Sequence, residues 1–390
     1  MNWRYRHVVL VLCMLAFFVT YVARLAISPV VPLITADFGI SNTLIGIALT
    51  GMWLAYGLAQ FPSGLLADRY GEKLVILVAV GGTTVMSLLL ALSPIYAVFL
   101  LAATVLGGVA GLHYAVATTL LSRTFDDIGT AVGFHSIGGP LAGLAAPVVA
   151  AWIGVRYGWR PAVAVTAAVG LPIFVLFVLK VRPTEPRRPD VPLRDGLRLG
   201  PLVGLVARPT IAFPLLIAMA GTYVVQGLLS FLPAFLVAFH GYTPTAAGVA
   251  FSAFFVIRAV SQLLLGRASD AYGRDAALAA SMLAGAVGLP LVVVGQGLPA
   301  IAAGVALAGV ASSFFAAIDP RFLDAIPDDQ EGTGFGLVRT VYTVLGAAGS
   351  VGVGLTADLF GWDVAFTILG SLLLAAFLGL LANRVLGLGY

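Results

Sequence analysis

The stretch GLLADRYGEK, residues 64–73, closes an apolar run and sets two glycines among four charged side chains. A second stretch of the same spacing, GRASDAYGRD, lies at 266–275, an offset of 202 residues. Each copy begins 18 residues after another glycine, Gly46 and Gly248. Further matches follow: GTAVGFHS (129–136) with GTGFGLVR (332–339), and Gly158-Trp159 with Gly361-Trp362. A repeat of this length means that one design is used twice in the 390 residues.

The composition names the solvent. Hydrophobic residues make up 60% and charged residues 10% of the chain, and the mean hydropathy is +1.05, far from any soluble average. Runs long enough to cross about 30 Å of hydrocarbon recur throughout. Twelve spans are predicted, at 8–34, 43–65, 74–93, 95–121, 129–154, 161–180, 210–238, 246–266, 276–295, 299–322, 333–357 and 363–383. The fold class is an all-α membrane protein, multi-pass in the cell membrane. The first span is too long for a signal-peptide core and is read as a retained helix. An even number of spans per repeat gives both halves the same topology, related by an axis along the membrane normal, with a cavity between them.

The domains are then a six-helix bundle at 1–181, a linker at 182–208 and a second bundle at 209–390. The linker rests on VRPTEPRRPDVPLRDGLRLGP (181–201), proline-rich and charged without an apolar period. Lysine and arginine cluster before span one and in the even-numbered gaps, at Arg69, Lys73, Arg123, Arg267 and Arg274, so both termini are expected in the cytoplasm. Cys13 is the one cysteine and excludes a disulfide framework. No basic patch with interleaved aromatics suggests a nucleic-acid partner, and no nucleophile elbow, metal-ligand spacing or phosphate loop suggests an enzyme.

At 64–73 the chain resembles the signature of the major facilitator superfamily between helices two and three, roughly G-x-L-x-D-R-x-G-R-[KR], with Glu72 where arginine is usual. The resemblance covers essentially the whole chain. It implies two six-helix bundles and transport by alternating access about a central site. Asp68, Arg69 and Lys73 then form a gate latch, with Gly64 allowing close helix approach and Gly71 a tight turn. Asp270 and Arg274 form its second copy.

Three arginines fall inside spans: Arg24, Arg258 and Arg339. An arginine at a helix centre costs about 2.5–3.5 kcal/mol on insertion scales, so its presence requires compensation. Arg24 lies about ten residues, roughly 15 Å, from the outer end of its helix, and Arg258 about 12 Å from the inner end of its own. Both sit near the midplane. Of the 17 acidic residues nearly all fall in loops or at helix ends, Asp319 being the one arguably inside a helix. The missing partner is either an anionic cargo or a set of backbone carbonyls, waters and aromatic faces. Arg339 lies two turns into its helix and is read as an inner-gate partner of Asp68 or Asp319, or else as a substrate contact.

Tyr21-Val-Ala-Arg24 resembles the Y-x-x-R of helix one in organophosphate:phosphate antiporters and organic-anion symporters, where the arginine contacts the anion. His135-Ser-Ile-Gly-Gly139 resembles the H-N-x-G-G of glycerol-3-phosphate transporters. Those antiporters place a second arginine where this chain has Gln226, a departure from their twin-arginine clamp. Tyr56 occupies the place equivalent to Arg258 and, with Tyr21 and Tyr114, is expected to line the site. His113 and His135 are the candidate proton groups, or they hydrogen-bond the anion. Glycine-rich runs at 107–114, 137–147 and 345–354 are read as close-packing and flexing points of spans four, five and eleven. The run at 137–147 also partly resembles the helix-five motif of drug:proton antiporters.

The function these residues imply is a secondary carrier of a small organic anion, a carboxylate or phosphate ester, working by proton symport or anion exchange. A proton-coupled drug exporter of the same fold is the alternative. The expected partners are the anionic solute, protons in the symport case and the bilayer, for a monomer without cofactor or metal.

Overall fold

The computed structural model describes residues 3–390 apart from 126, 188–203, 205 and 328–330. Most of the expected linker therefore lies outside the described residues. Twelve helical stretches among those described are long and apolar enough to cross a membrane. They run Tyr5–Phe38, Asn42–Gln60, Glu72–Ala91, Tyr96–Ser122, Ile128–Tyr157 and Trp159–Lys180, then Pro209–Ala238, Pro244–Tyr272, Arg274–Val294, Gly297–Ala325, Gly334–Phe360 and Trp362–Val385. The chain divides into two compact units: Met1–Ile40, Ile47–Arg198 and Thr243–Gly248 in the first, Ser41–Gly46, Leu199–Tyr242 and Val249–Tyr390 in the second.

Four glycines at matching places in the repeat start helices with one backbone geometry. Gly71, Gly158, Gly273 and Gly361 have φ between 84° and 97° and ψ between 147° and 169°. That region is essentially closed to residues with a Cβ. The sequence repeat is thus a repeat of turns as well as of apolar runs.

Several spans are not single helices. The first breaks after Trp3–Leu25 into a short 3-10 turn, Ser28–Val30, before Val31–Phe38. The fourth divides into Tyr96–Gly111 and His113–Ser122, and the fifth into Ile128–Ser136 and Gly138–Tyr157. Their counterparts divide likewise, the tenth at Ser312–Phe314 and the eleventh at Ala347–Ala348. At each break a backbone N–H reaches three residues back instead of four, as from Leu112 to Val109 and from Ile137 to Phe134. Such tightened turns inside a helix mark hinges or sites.

The first unit packs around Val9, Cys13, Ala16, Ile76, Val80, Val116 and Phe177, all buried. The second has an aromatic centre in which Phe235 and Phe366 stack with ring centroids 3.9 Å apart. Most of the charges sort to helix ends, where they form braces within each unit. Glu72, 1% exposed, pairs with Arg123 at 3.0 Å. Arg274 pairs with Asp270 and, at 3.0 Å, with Asp324, while Arg321 pairs with Asp275. The main-chain N–H of Lys73 donates to the Thr184 hydroxyl at 3.0 Å, and its ammonium to the Val178 carbonyl at 2.9 Å.

One reason given for the latch glycines changes. Gly71 does make the tight turn, and a Cβ there would meet the Thr184 carbonyl at 2.4 Å. Gly64 faces open space, with no atom of the described residues within 4 Å of a Cβ built on it. Close helix approach is therefore not its role in this arrangement.

Candidate functional site

Two glycines of the fourth span fix the site in the first unit. A Cβ on Gly107 would lie 1.9 Å from the Met52 carbonyl, and one on Gly111 2.4 Å from the Tyr56 carbonyl. With only hydrogens there, the fourth span lies directly on the second-span backbone at both ends of the turn Met52–Tyr56. That turn carries Trp53 and Tyr56. A third close approach, where a Cβ on Gly138 would lie 2.5 Å from the Met14 carbonyl, seats the fifth span against the first beside Phe17.

Arg24 enters this aromatic setting from the first span and is 2% exposed. Its guanidinium carbon lies 4.4 Å from the Tyr21 ring, 5.1 Å from Trp53 and 4.1 Å from Tyr56. Its Nε donates to the Thr20 carbonyl one turn back at 3.0 Å. One terminal nitrogen, Nη2, is buried and has no hydrogen-bond partner among the described residues. No carboxylate among them pairs with it. Of the compensations open to a buried guanidinium, this one uses π-faces and a backbone carbonyl, leaving a donor spare.

Two turns away along the same helix, Phe17 joins Arg24's cage to a second cluster. Its ring lies 4.9 Å from Tyr21, 5.0 Å from His135, 5.1 Å from Tyr114 and 5.9 Å from His113. His113 opens the second helix of the fourth span, and His135 is the penultimate residue of the first helix of the fifth. Both imidazoles therefore sit at span breaks. They are fully buried, with centroids 5.4 Å apart. Tyr114 stacks obliquely on His135 at 5.4 Å and shares a hydrogen bond with Ser136 at 3.2 Å.

The structure thus gathers Tyr21, Arg24, Tyr56, His113, Tyr114 and His135 from three spans and the second-span turn into one continuous group. Trp53, Phe17 and Ser136 were not among the expected lining residues. Trp53 was findable, since it lies three residues before Tyr56 and so on the same helix face.

In the second unit Arg258 lies 5.8 Å from the Phe315 ring, and Phe315 6.1 Å from the Tyr342 ring. The Tyr342 hydroxyl donates to Asp319 at 2.9 Å, and the Arg339 charge acts on the same carboxyl. Asp319, one of the two partners expected for Arg339, thus lies within reach of its charge. Gln226, in the place equivalent to Arg24, is 6% exposed, and its Oε1 has no hydrogen-bond partner among the described residues.

A family model described as Major Facilitator Superfamily matches residues 13–243 and 215–386. Among curated proteins, the hexuronate transporter of Bacillus subtilis is 25% identical over 62% of this chain and 59% of its own length. The probable 4-methylmuconolactone transporter of Cupriavidus pinatubonensis is 25% identical over 85% of this chain and 79% of its own length. Multidrug resistance protein MdtG of Citrobacter koseri is 28% identical over 55% of this chain and 53% of its own. Of these three, the hexuronate and multidrug proteins are matched over little more than half their length. Among solved structures, a bacterial homolog of the human lysosomal transporter Spinster superposes with a TM-score of 0.85, at 16% identity, over 98% of both chains.

Proposed function

Since the chain belongs to the Major Facilitator Superfamily, and so is a multi-pass membrane transporter rather than an enzyme, we propose that it carries a small organic anion. Arg24 is the anchor in this reading. The observation that carries it is the spare Nη2 of a buried guanidinium that has aromatic neighbours and, among the described residues, no carboxylate partner. A carboxylate or phosphate ester supplies the acceptor that the protein withholds, and a charge-assisted bond to Arg24 is roughly twice as strong as a neutral one. Tyr21, Trp53 and Tyr56 orient the guanidinium, and Tyr114 is a further polar group for the solute. In the second unit, Gln226 and Arg258 are the polar and charged groups that the sequence proposes. The hexuronate transporter among the relatives supports an anionic cargo.

The match to a multidrug resistance protein supports a second reading, export of apolar or cationic drugs by the same fold. Thermal denaturation of the purified protein separates the two. D-glucuronate, benzoate, sulfoacetate and glycerol 3-phosphate are compared with ethidium and tetraphenylphosphonium, on the native protein and on Arg24→Ala. Stabilisation by at least one anion, lost in Arg24→Ala, supports the first reading. Stabilisation by the cations alone, unchanged in the variant, supports the second.

A further inference from the structure

The walls of the Arg24 cage decide what shape of anion can reach its charge. A guanidinium carries its N–H groups in one plane and can hold an oxyanion by a pair of them in two ways, side-on through Nε and Nη2 or end-on through Nη1 and Nη2. Nε already donates to the Thr20 carbonyl at 3.0 Å. The side-on pair is therefore taken, and the spare donor Nη2 is left to the end of the fork. The faces are taken as well, since the guanidinium carbon sits over the rings of Tyr21, Trp53 and Tyr56 at 4.4, 5.1 and 4.1 Å. Trp53 and Tyr56 stand at 86° to each other with centroids 6.0 Å apart. Whichever of the two lies parallel to the guanidinium, the other crosses its edge. Nη2 is itself buried in this arrangement, so an incoming group has to part the rings. It does so with least disturbance of their packing if it is one atomic layer thick.

A carboxylate meets that condition. Its two oxygens share a plane with their carbon, match the planar fork and turn only flat faces toward the rings. A sulfonate, sulfate ester or phosphate ester has a third terminal oxygen outside any plane shared with the guanidinium. That oxygen is pressed on a π-face, the negative side of the ring quadrupole, and gives up water without a donor to replace it. Charge adds to shape in the case of phosphate. A phosphate monoester carries about −1.5 to −2 charge at pH 7, against the one guanidinium stacked on these rings.

We infer that the Arg24 cage selects a flat, singly charged carboxylate and turns away tetrahedral acids, with Trp53 and Tyr56 as the specificity-determining walls. That an anion binds at Arg24 at all rests on the proposed function; the order of preference among acids does not follow from it. The order comes from the perpendicular rings and from the hydrogen bond that occupies Nε. Both walls are built into the fold, because Gly107 and Gly111 fix the turn Met52–Tyr56 that carries them. The cargo class narrows accordingly, from organic anions in general to carboxylic acids.

The test varies the acid and keeps the body. Melting curves of the purified protein are recorded against benzoate, benzenesulfonate and phenylphosphonate, and against D-glucuronate, glucose 6-sulfate and glucose 6-phosphate. Selection by shape predicts that, in at least one series, the carboxylate reaches half of its full stabilisation at a concentration about tenfold or more below either tetrahedral acid, the usual penalty of a buried acceptor without a donor. The sulfur acids carry one charge, as the carboxylates do, and so separate shape from charge. Trp53→Ala removes one wall and should narrow the gap to less than about threefold by admitting the tetrahedral acids; Trp53→Leu serves if that variant does not fold. A sulfur or phosphorus acid that binds as tightly as the carboxylate of its series, and loses that binding in Arg24→Ala, overturns the selection and leaves the anion carrier standing. A gap unchanged in the Trp53 variant overturns the role of the walls. Stabilisation by none of the six acids, or stabilisation indifferent to Arg24→Ala, overturns both the selection and the proposed function.

Discussion

Glu72 and Arg123 form a buried brace in the first unit, with Nε and Oε1 3.0 Å apart, and the second unit keeps the brace with its charges exchanged. Arg274 stands where the repeat places Glu72, and it binds Asp324, beside the position equivalent to Arg123, at 3.0 Å. What the repeat preserves is an ion pair at this corner, whichever helix supplies the cation. In the first unit Arg123 also donates to the Glu185 carbonyl at 3.2 Å, and so ties the chain beyond the sixth span to the same corner.

The exchange predicts how the corner responds to mutation. Glu72→Ala leaves Arg123 without its carboxylate. Removing one partner of a fully buried pair costs about 3–5 kcal/mol. Arg123 is 28% exposed, so water recovers part of it, and about 1–3 kcal/mol is expected. The double variant Glu72→Arg/Arg123→Glu, which copies the second unit, should recover most of the lost melting temperature. Equal melting of the single and double variants would contradict the equivalence.

Glycine packing sets the cage. Gly107→Val cannot be accommodated without moving the second span, because its Cβ meets the Met52 carbonyl at 1.9 Å. The displacement moves Trp53 and Tyr56 off Arg24. Stabilisation by anions should fall at least tenfold in concentration dependence, together with a loss of about 1–3 kcal/mol from overpacking. Gly64→Ala, which meets open space, should leave both unchanged; the comparison is read from melting curves with and without anion.

Tyr342→Phe removes the donor to Asp319 seen at 2.9 Å. Leaving a buried acceptor unsatisfied costs about 1–3 kcal/mol, and Arg339 nearby limits the loss to the lower part of that range. The Arg339→Gln variant should make the effect of Tyr342→Phe larger. A double-mutant cycle in melting temperature checks the coupling, and strict additivity would separate Arg339 from this carboxyl.

The aromatic cage can be graded one ring at a time. Cation–π contacts of desolvated arginine are worth about 2 kcal/mol. Tyr56→Leu, which removes the ring 4.1 Å from the guanidinium, should weaken anion binding by about tenfold, and Tyr56→Phe by much less. Equal loss in the two variants would assign the role to the hydroxyl instead.

The twelve spans were legible because a bilayer demands about twenty apolar residues for each crossing, and the repeat was legible because its turns need glycine at fixed places. Arg24 stood out because a guanidinium is so unlike its neighbours. The breaks inside spans were not legible. GGVAGLHY and LGAAGSVGVG are as apolar as an unbroken helix, and the 3-10 step at Leu112 or Ala348 changes the hydrogen bonding without changing the composition. The Glu72 brace was missed for a different reason. The superfamily signature directs attention to the arginine absent at 72, whereas the opposite signs of Glu72 and Arg274 across the repeat were the available sign of a charge exchange. Three-dimensional packing alone joins Phe17 to both histidines, because they come from three separate spans.

Anion counterflow in proteoliposomes tests the central claim most directly. Vesicles holding the purified protein are loaded with one unlabelled member of the anion panel at a time and diluted into its labelled form, with Arg24→Gln and Arg24→Lys vesicles alongside. The account predicts transient accumulation of at least one carboxylate or phosphate ester, abolished by Arg24→Gln and partly retained by Arg24→Lys. Accumulation that survives Arg24→Gln undiminished would contradict it.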